Sequence, residues 1–183
     1  GQREKSRSSR KDENVTLRDA GVKMLQADGL KAEFKGYTDL SVRTKIGGLI
    51  DSGGSKISQL EAGQKGRVFV YETPCYAEAG GQVGDTAEMI WPDGMAVVET
   101  TTSIGDGLIL HHVNVQEGVL LDDAEIDLNV DSRKRGSTAV HHSATHLLQA
   151  ALKNVLGDHV KQAGSLVGPE RLRFDFTHFS QLT

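Results

Sequence analysis

One cysteine, Cys75, is all the chain contains, so no internal disulfide can staple it and its stability must come from a hydrophobic core. That cysteine usage fits a reducing compartment, and the expected location is the cytoplasm. Positive charge is also scarce: 21 Lys and Arg against 25 Asp and Glu leave a net charge of -4. A protein that coats nucleic acid through bulk charge needs a strongly basic surface, so any RNA contact here must be local. No apolar run approaches the roughly 20 residues that span a bilayer, and the charged start lacks the apolar stretch of a signal peptide. Neither a membrane nor DNA is an expected partner. Aromatic residues make up only 5% while glycines number 21, the balance of a soluble, turn-rich protein. Met is absent from position 1, which points to an excised piece of a longer protein.

At 183 residues the chain has room for one sizeable domain or two small ones. Its dense basic stretch is the N-terminus, where Arg3, Lys5, Arg7, Arg10 and Lys11 face Glu4 as the nearby acid. Residues 1–14 read either as a helix end carried over from a preceding domain or as a disordered lead. A short helix is expected next, with Thr16 as its cap, Leu17, Ala20, Met24 and Leu25 at helical spacing, and Asp28-Gly29 as its stop. The period then changes. Segments 66–72, 95–104, 108–113 and 125–130 are short, β-branched or alternating, and separated by turns such as Trp91-Pro92-Asp93-Gly94 and Gly105-Asp106-Gly107. Such strands at close spacing predict a small β-barrel or curled sheet. A second helix is expected over 138–156, ended by Gly157, with Val140, Ala144, Leu147, Leu148, Ala151, Leu152 and Val155 as its apolar stripe. Residues 171–176 alternate as a strand. The fold class is therefore α+β: a short N-terminal helix, a small β-barrel, and an incomplete α+β unit, since one helix and one strand cannot bury their own apolar faces. The expected domains are 1–29, a linker and helix from a preceding region, 30–131, the barrel, and 132–183, the first part of the α+β unit.

Two features carry chemistry. His142-Ser143-Ala144-Thr145-His146 sets two imidazoles four residues apart, which on a helix stacks them on one face where they can converge on one ion such as zinc. At about 100° per residue the apolar stripe centres nearly opposite them, so they are not core histidines. They are either a solvated surface pair or a pair lining a cleft on the polar face. His141 is about a third of a turn away and reads as a bystander. Cys75 could be a further ligand, but at a strand end it reads more simply as a small, partly buried residue. The remaining histidines form no second paired motif with Cys75, so the missing ligands are expected beyond Thr183. The second feature is Thr73-Pro74-Cys75-Tyr76-Ala77-Glu78-Ala79-Gly80-Gly81-Gln82-Val83-Gly84-Asp85, a strand followed by a glycine-dense loop. Such a loop can clasp a ligand, or it can simply turn tightly at a barrel rim.

These residues resemble the editing region of alanyl-tRNA synthetases and their free-standing relatives. Residues 73–85 resemble the family's T-P-F-Y-A-E-S-G-G-Q-x-G-D, and 142–148 resemble its zinc helix H-T-A-T-H-L-L. Residues 159–166 with 171–178 resemble the stretch that follows, so the likeness covers residues 30–183. The basic start is similar to the connection between the tRNA-binding helical domain of the full synthetase and its editing region. Cys75, Ala79 and Ser143 replace the usual phenylalanine, serine and threonine; none of these changes removes a zinc ligand.

What the resemblance implies is specific. The full protein would be an aminoacyl-tRNA ligase that joins alanine to its tRNA, with ATP and magnesium used only in an aminoacylation domain outside this chain. This region would hydrolyse seryl or glycyl esters wrongly formed on the alanine tRNA. His142 and His146 match two of four zinc ligands, the other two belonging to a later Cys-x-x-x-His. Thr145 matches a threonine that helps tell serine from alanine, and Gln162 a glutamine lining the editing pocket. Lys153, Lys161, Arg171 and Arg173 are candidates for RNA backbone contacts beside their ordinary reading as solvated charge. The competing readings are a free-standing trans-editing hydrolase and a tRNA-binding module without hydrolytic activity.

Overall fold

Among the described residues, the first helix begins where the chain meets the barrel. A computed structural model describes residues 19–105 and 107–179, with α1 at Ala20–Ala27. Asp19 occupies the N-cap position but bonds no helix amide; its carboxylate instead pairs at 2.6 Å with Arg67 in an ion pair that is largely buried. The expected cap, Thr16, and the basic N-terminal run lie outside the described residues. At the other end Gly29, at φ +68°, donates to the Gln26 carbonyl while Leu30 donates to that of Leu25. This is the Schellman arrangement, and it explains why Asp28-Gly29 stops the helix.

The strands that follow are β1 (Glu33–Phe34), β2 (Ser41–Asp51), β3 (Lys56–Ile57), β4 (Gln59–Glu61), β5 (Lys65–Val70), β6 (Glu72–Thr73), β7 (Ala87–Trp91), β8 (Gly94–Ile104), β9 (Leu108–Glu117), β10 (Val119–Leu121) and β11 (Glu125–Val130). Six of them, in the order β11-β7-β8-β9-β5-β2, form an antiparallel sheet that closes through β11 and β2 into a barrel. Closure removes the sheet edges that would otherwise offer unpaired backbone groups. Burial alternates along β7 and β11, as a period of two requires, and sends Met89, Ile126 and Leu128 inward with Val68, Val70, Val98 and Val115. A second cluster lies between the barrel and α1, where Val22 and Leu25 pack with Ile50, Phe69 and Leu110.

The second helix, α2, spans Ser132–Leu156 and starts six residues before the sequence reading placed it. Asp131 caps it by accepting from the Lys134 amide at 3.0 Å, and that bond holds its carboxyl below the usual range. The first turn carries no apolar residue, so periodicity could not announce it. Gly157 ends the helix as expected. An antiparallel hairpin of β12 (Gln162–Val167) and β13 (Leu172–Phe176) follows, with β13 covering the strand expected there.

The apolar stripe of α2 is not core in this chain. Val140, Leu147 and Val155 are 66%, 73% and 82% exposed. The buried residues of the helix are Thr138 and Thr145, on the face that also carries His141. Within this chain the tertiary contacts bury a weakly polar face of α2 and leave the apolar one uncovered.

Candidate functional site

The segment from Thr73 to Asp85 is anchored at both ends by buried polar networks. At its start, the Cys75 amide donates to the Thr73 hydroxyl at 3.0 Å, and Thr73 meets His111 Nε2 at 2.8 Å. His111 Nδ1 stands 3.1 Å from the Val68 carbonyl, which can only accept, so Nδ1 carries the hydrogen and Nε2 accepts from Thr73. His111 is fully buried on β9, and burial drives its pKa down to about 4. Cys75 is buried beside it, and desolvation pushes its thiol up to about 12. It is a packed thiol, fully buried where the sequence suggested partial burial.

At the segment's end, Asp85 accepts from the Tyr76 amide at 2.6 Å and from Arg135 Nε at 3.0 and 2.9 Å; Arg135 Nη2 also contacts it. Arg135 donates as well to the carbonyls of Gly36 at 3.1 Å and Pro74 at 2.7 Å. One guanidinium thus ties the first turn of α2 to the barrel through three partners.

Between these anchors the chain reverses. Ala79 and Gln82 exchange backbone hydrogen bonds at 3.2 and 2.9 Å around Gly80 and Gly81, whose φ angles are +60° and +86°. Positive φ at both central positions is what a type I′ turn demands, and glycine supplies it without strain. Gly81 also presses on β12: a Cβ there would lie 2.5 Å from Ser165 Oγ and 2.7 Å from its carbonyl oxygen. The close backbone approach is to the chain's own strand. Backbone bonds from Val83 to Val167 and from Val167 to Gly81 complete the junction. Gly81→Ala is expected to cost about 1–3 kcal/mol and to push the turn off β12; an unchanged urea midpoint would show that the contact is slack.

The turn delivers Gln82 to the histidine helix. Gln82 Oε1 lies 2.8 Å from His142 Nδ1, and the Nε2 atoms of His142 and His146 lie 3.1 Å apart. Both histidines are exposed, at the seam between α2 and the turn. Two nitrogens sharing a tetrahedral zinc at bonds of about 2.0–2.1 Å stand about 3.3 Å apart, so the pair fits two ligands of such an ion. Among the described residues no group of three or more His, Cys, Asp or Glu could hold a metal. His141 has a structural contact of its own: its Nδ1 lies 2.6 Å from the Gly168 carbonyl and docks α2 on the loop after β12.

The other two candidates are near this seam but do not bond each other. Thr145 is buried and donates to the His141 carbonyl at 2.8 Å. Gln162 is exposed on β12 and donates to Ser165 Oγ at 3.0 Å, the same oxygen that Gly81 abuts. Lys153, Lys161 and Arg171 are exposed, while Arg173 pairs with Asp175 at 2.8 Å. Spacing could not reveal a second histidine pair, His159 and His178, which meet at 2.7 Å with stacked rings. Gln82 and Asp85 were likewise missed as partners of α2, and Arg135 as the residue by which α2 holds Asp85.

The sequence profile described as tRNA synthetases class II (A) matches residues 1–134, almost three-quarters of the chain. The chain belongs to that family. Relatives extend the likeness past that range to α2 and the hairpin. The chain is 42% identical over 182 residues to the alanine–tRNA ligase of Thermotoga maritima, covering 100% of the chain and 21% of the relative. To that of Nitratidesulfovibrio vulgaris it is 46% identical over 159 residues, 87% of the chain and 18% of the relative. To that of Bacillus thuringiensis it is 40% identical over 181 residues, 99% and 20%. The chain thus spans about a fifth of the length of these relatives. The motif-based resemblance to alanyl-tRNA synthetases is borne out. Among the described residues of this synthetase segment, no helix is long and apolar enough to cross a membrane.

Proposed function

We propose that this chain is the editing segment of an alanine–tRNA ligase, and that it hydrolyses serine or glycine wrongly esterified to the alanine tRNA. The full protein would carry out ATP-dependent ligation of alanine to that tRNA. The observation that carries the reading is the convergence of His142 and His146 on the Gly80-Gly81-Gln82 turn, beside Thr145 and the strand of Gln162.

His142 and His146 would hold zinc together with two ligands from a following Cys-x-x-x-His. The chemistry such an ion supplies is positioning and polarisation of the ester. The rest falls to the chain. Thr145 spends its hydroxyl hydrogen on His141, so its oxygen can only accept, which suits the hydroxyl of a serine and offers nothing to the methyl of alanine. Gln162 is placed by Ser165, and through it by the glycine turn, to line the same side. Exposed Lys153, Lys161 and Arg171 supply local cations for the RNA backbone despite the acidic total.

Thr145→Val keeps the shape and removes the acceptor. The ratio of seryl to alanyl ester hydrolysis is expected to fall about tenfold, the worth of one hydrogen bond; an unchanged ratio would remove Thr145 from the pocket. The assignment itself is tested by serine release from seryl-tRNA. The chain is compared with a version extended through a following Cys-x-x-x-His, each with its zinc content determined. Hydrolysis with one zinc per extended chain is expected. Tight tRNA binding and bound zinc without hydrolysis would instead make this a tRNA-binding module.

A further inference from the structure

We propose that Gln82 is the positioning residue of the histidine pair: its side-chain carbonyl locks His142 as the Nδ1–H tautomer, so that Nε2 presents a lone pair to a divalent cation. The inference rests on reading His142 and His146 as zinc ligands. A carbonyl oxygen can only accept, so the 2.8 Å contact from Gln82 Oε1 requires the hydrogen on His142 Nδ1. A neutral imidazole then has its lone pair on Nε2, the atom that faces His146 Nε2 at 3.1 Å.

The tautomer is set by a partner 60 residues away whose own position is over-determined. Gln82 is held on one side by its reciprocal backbone bonds with Ala79 and on the other by the clamp of its two neighbours, Gly81 and Val83, onto Val167. Its side chain is half-buried, which leaves it few alternative directions. Metal-bound histidines generally need such an outer partner to fix ring orientation and tautomer, and losing it weakens metal binding by about 10- to 100-fold. The glycine turn therefore acts on the histidine pair through one side chain: Gly80 and Gly81 make the reversal, and Gln82 uses it to aim an imidazole.

Histidine nitrogen NMR on this chain reads the His142 tautomer directly, and competition with a chromophoric chelator reads zinc affinity in the version extended through a following Cys-x-x-x-His. In the wild type His142 is expected as the Nδ1–H form alone. Gln82→Met, a linear side chain without the acceptor, should give mixed tautomers and zinc binding about 10- to 100-fold weaker. Gln82→Glu, which restores an acceptor, should recover both while the thermal midpoint stays the same across the three. A wild-type His142 with its hydrogen on Nε2 overturns the proposal whatever the variants do. So does a Gln82→Met protein with unchanged tautomer and unchanged zinc affinity. A wild type that shows the tautomer but binds no zinc overturns the zinc reading, and with it the cation half of the proposal.

Discussion

Replacing Arg135 with methionine is expected to lower the free energy of unfolding by about 3–5 kcal/mol, because it leaves the buried Asp85 carboxylate without its counter-charge. Asp85 is 7% exposed and accepts from Arg135 Nε and Nη2 as well as from the Tyr76 amide. The same guanidinium satisfies the carbonyls of Gly36 and Pro74, so its loss strands several acceptors together. Asp85→Asn should cost less than Arg135→Met, since it keeps an oxygen for Tyr76 and removes the charge. The double variant should fall well short of the sum, as coupled partners do. Urea denaturation of the four proteins checks this, and a loss below about 1 kcal/mol for Arg135→Met would mean that water replaces the guanidinium at no real cost. The functional consequence lies one step away. Arg135 fastens the first turn of α2, so a weakened anchor should also loosen the contact of His142 with Gln82, two turns further along the same helix.

Acidification from pH 6.5 to pH 4 is expected to remove about 3 kcal/mol of stability through His111 alone. Its pKa in the folded protein is about 4 against the ordinary 6.5, and burial is the main cause. Above pH 6.5 the ring is neutral in both the folded and the unfolded chain, and the group contributes no pH dependence. As pH falls below that, the unfolded chain takes up a proton that the folded one refuses, so the folded state loses ground until about pH 4, where it too is protonated. His112 is lowered as well, by burial first and then by Arg67, and acts in the same direction. Asp131, whose pKa is lowered from 3.8, loses its contribution only below this window, so the two effects separate along the pH axis. His111→Gln should flatten the profile between pH 6.5 and 4 although it lowers stability at neutral pH. Parallel profiles for wild type and variant would show that His111 is protonated without unfolding.

Much of the fold could be read locally. Residues 66–72 and 108–113 read as strands from their β-branched and apolar content; 66–70 and most of 108–113 are buried on both faces, between the barrel core and the cluster under α1, and the stop at Gly29 follows from its positive φ. Histidines four apart had to share a helix face once the helix existed. The motif 73–85 pointed to the family before its geometry was known, but it did not say what the residues do. Its glycines form a hairpin turn, its glutamine holds His142, and its aspartate holds Arg135. Spacing placed α2 and its end but missed its start. Its first turn is set by Asp131 and Arg135, which are polar, and its apolar stripe lies in solvent.

The sequence by itself determined four of the six barrel strands, the helix that carries His142 and His146, and the residue types available to the site. These depend on periodicity, caps and turns, which act over a few residues. The strands Ser41–Asp51 and Ala87–Trp91 and the closure of the sheet came from the tertiary structure. Only the tertiary structure decided that Gln82 meets His142 across 60 residues, that Arg135 meets Asp85 across 50, and that Thr138 and Thr145 rather than the leucines are buried. Those outcomes depend on where the barrel delivers the chain. Backbone registry between the glycine turn and β12 brings the parts together, and no local pattern encodes it.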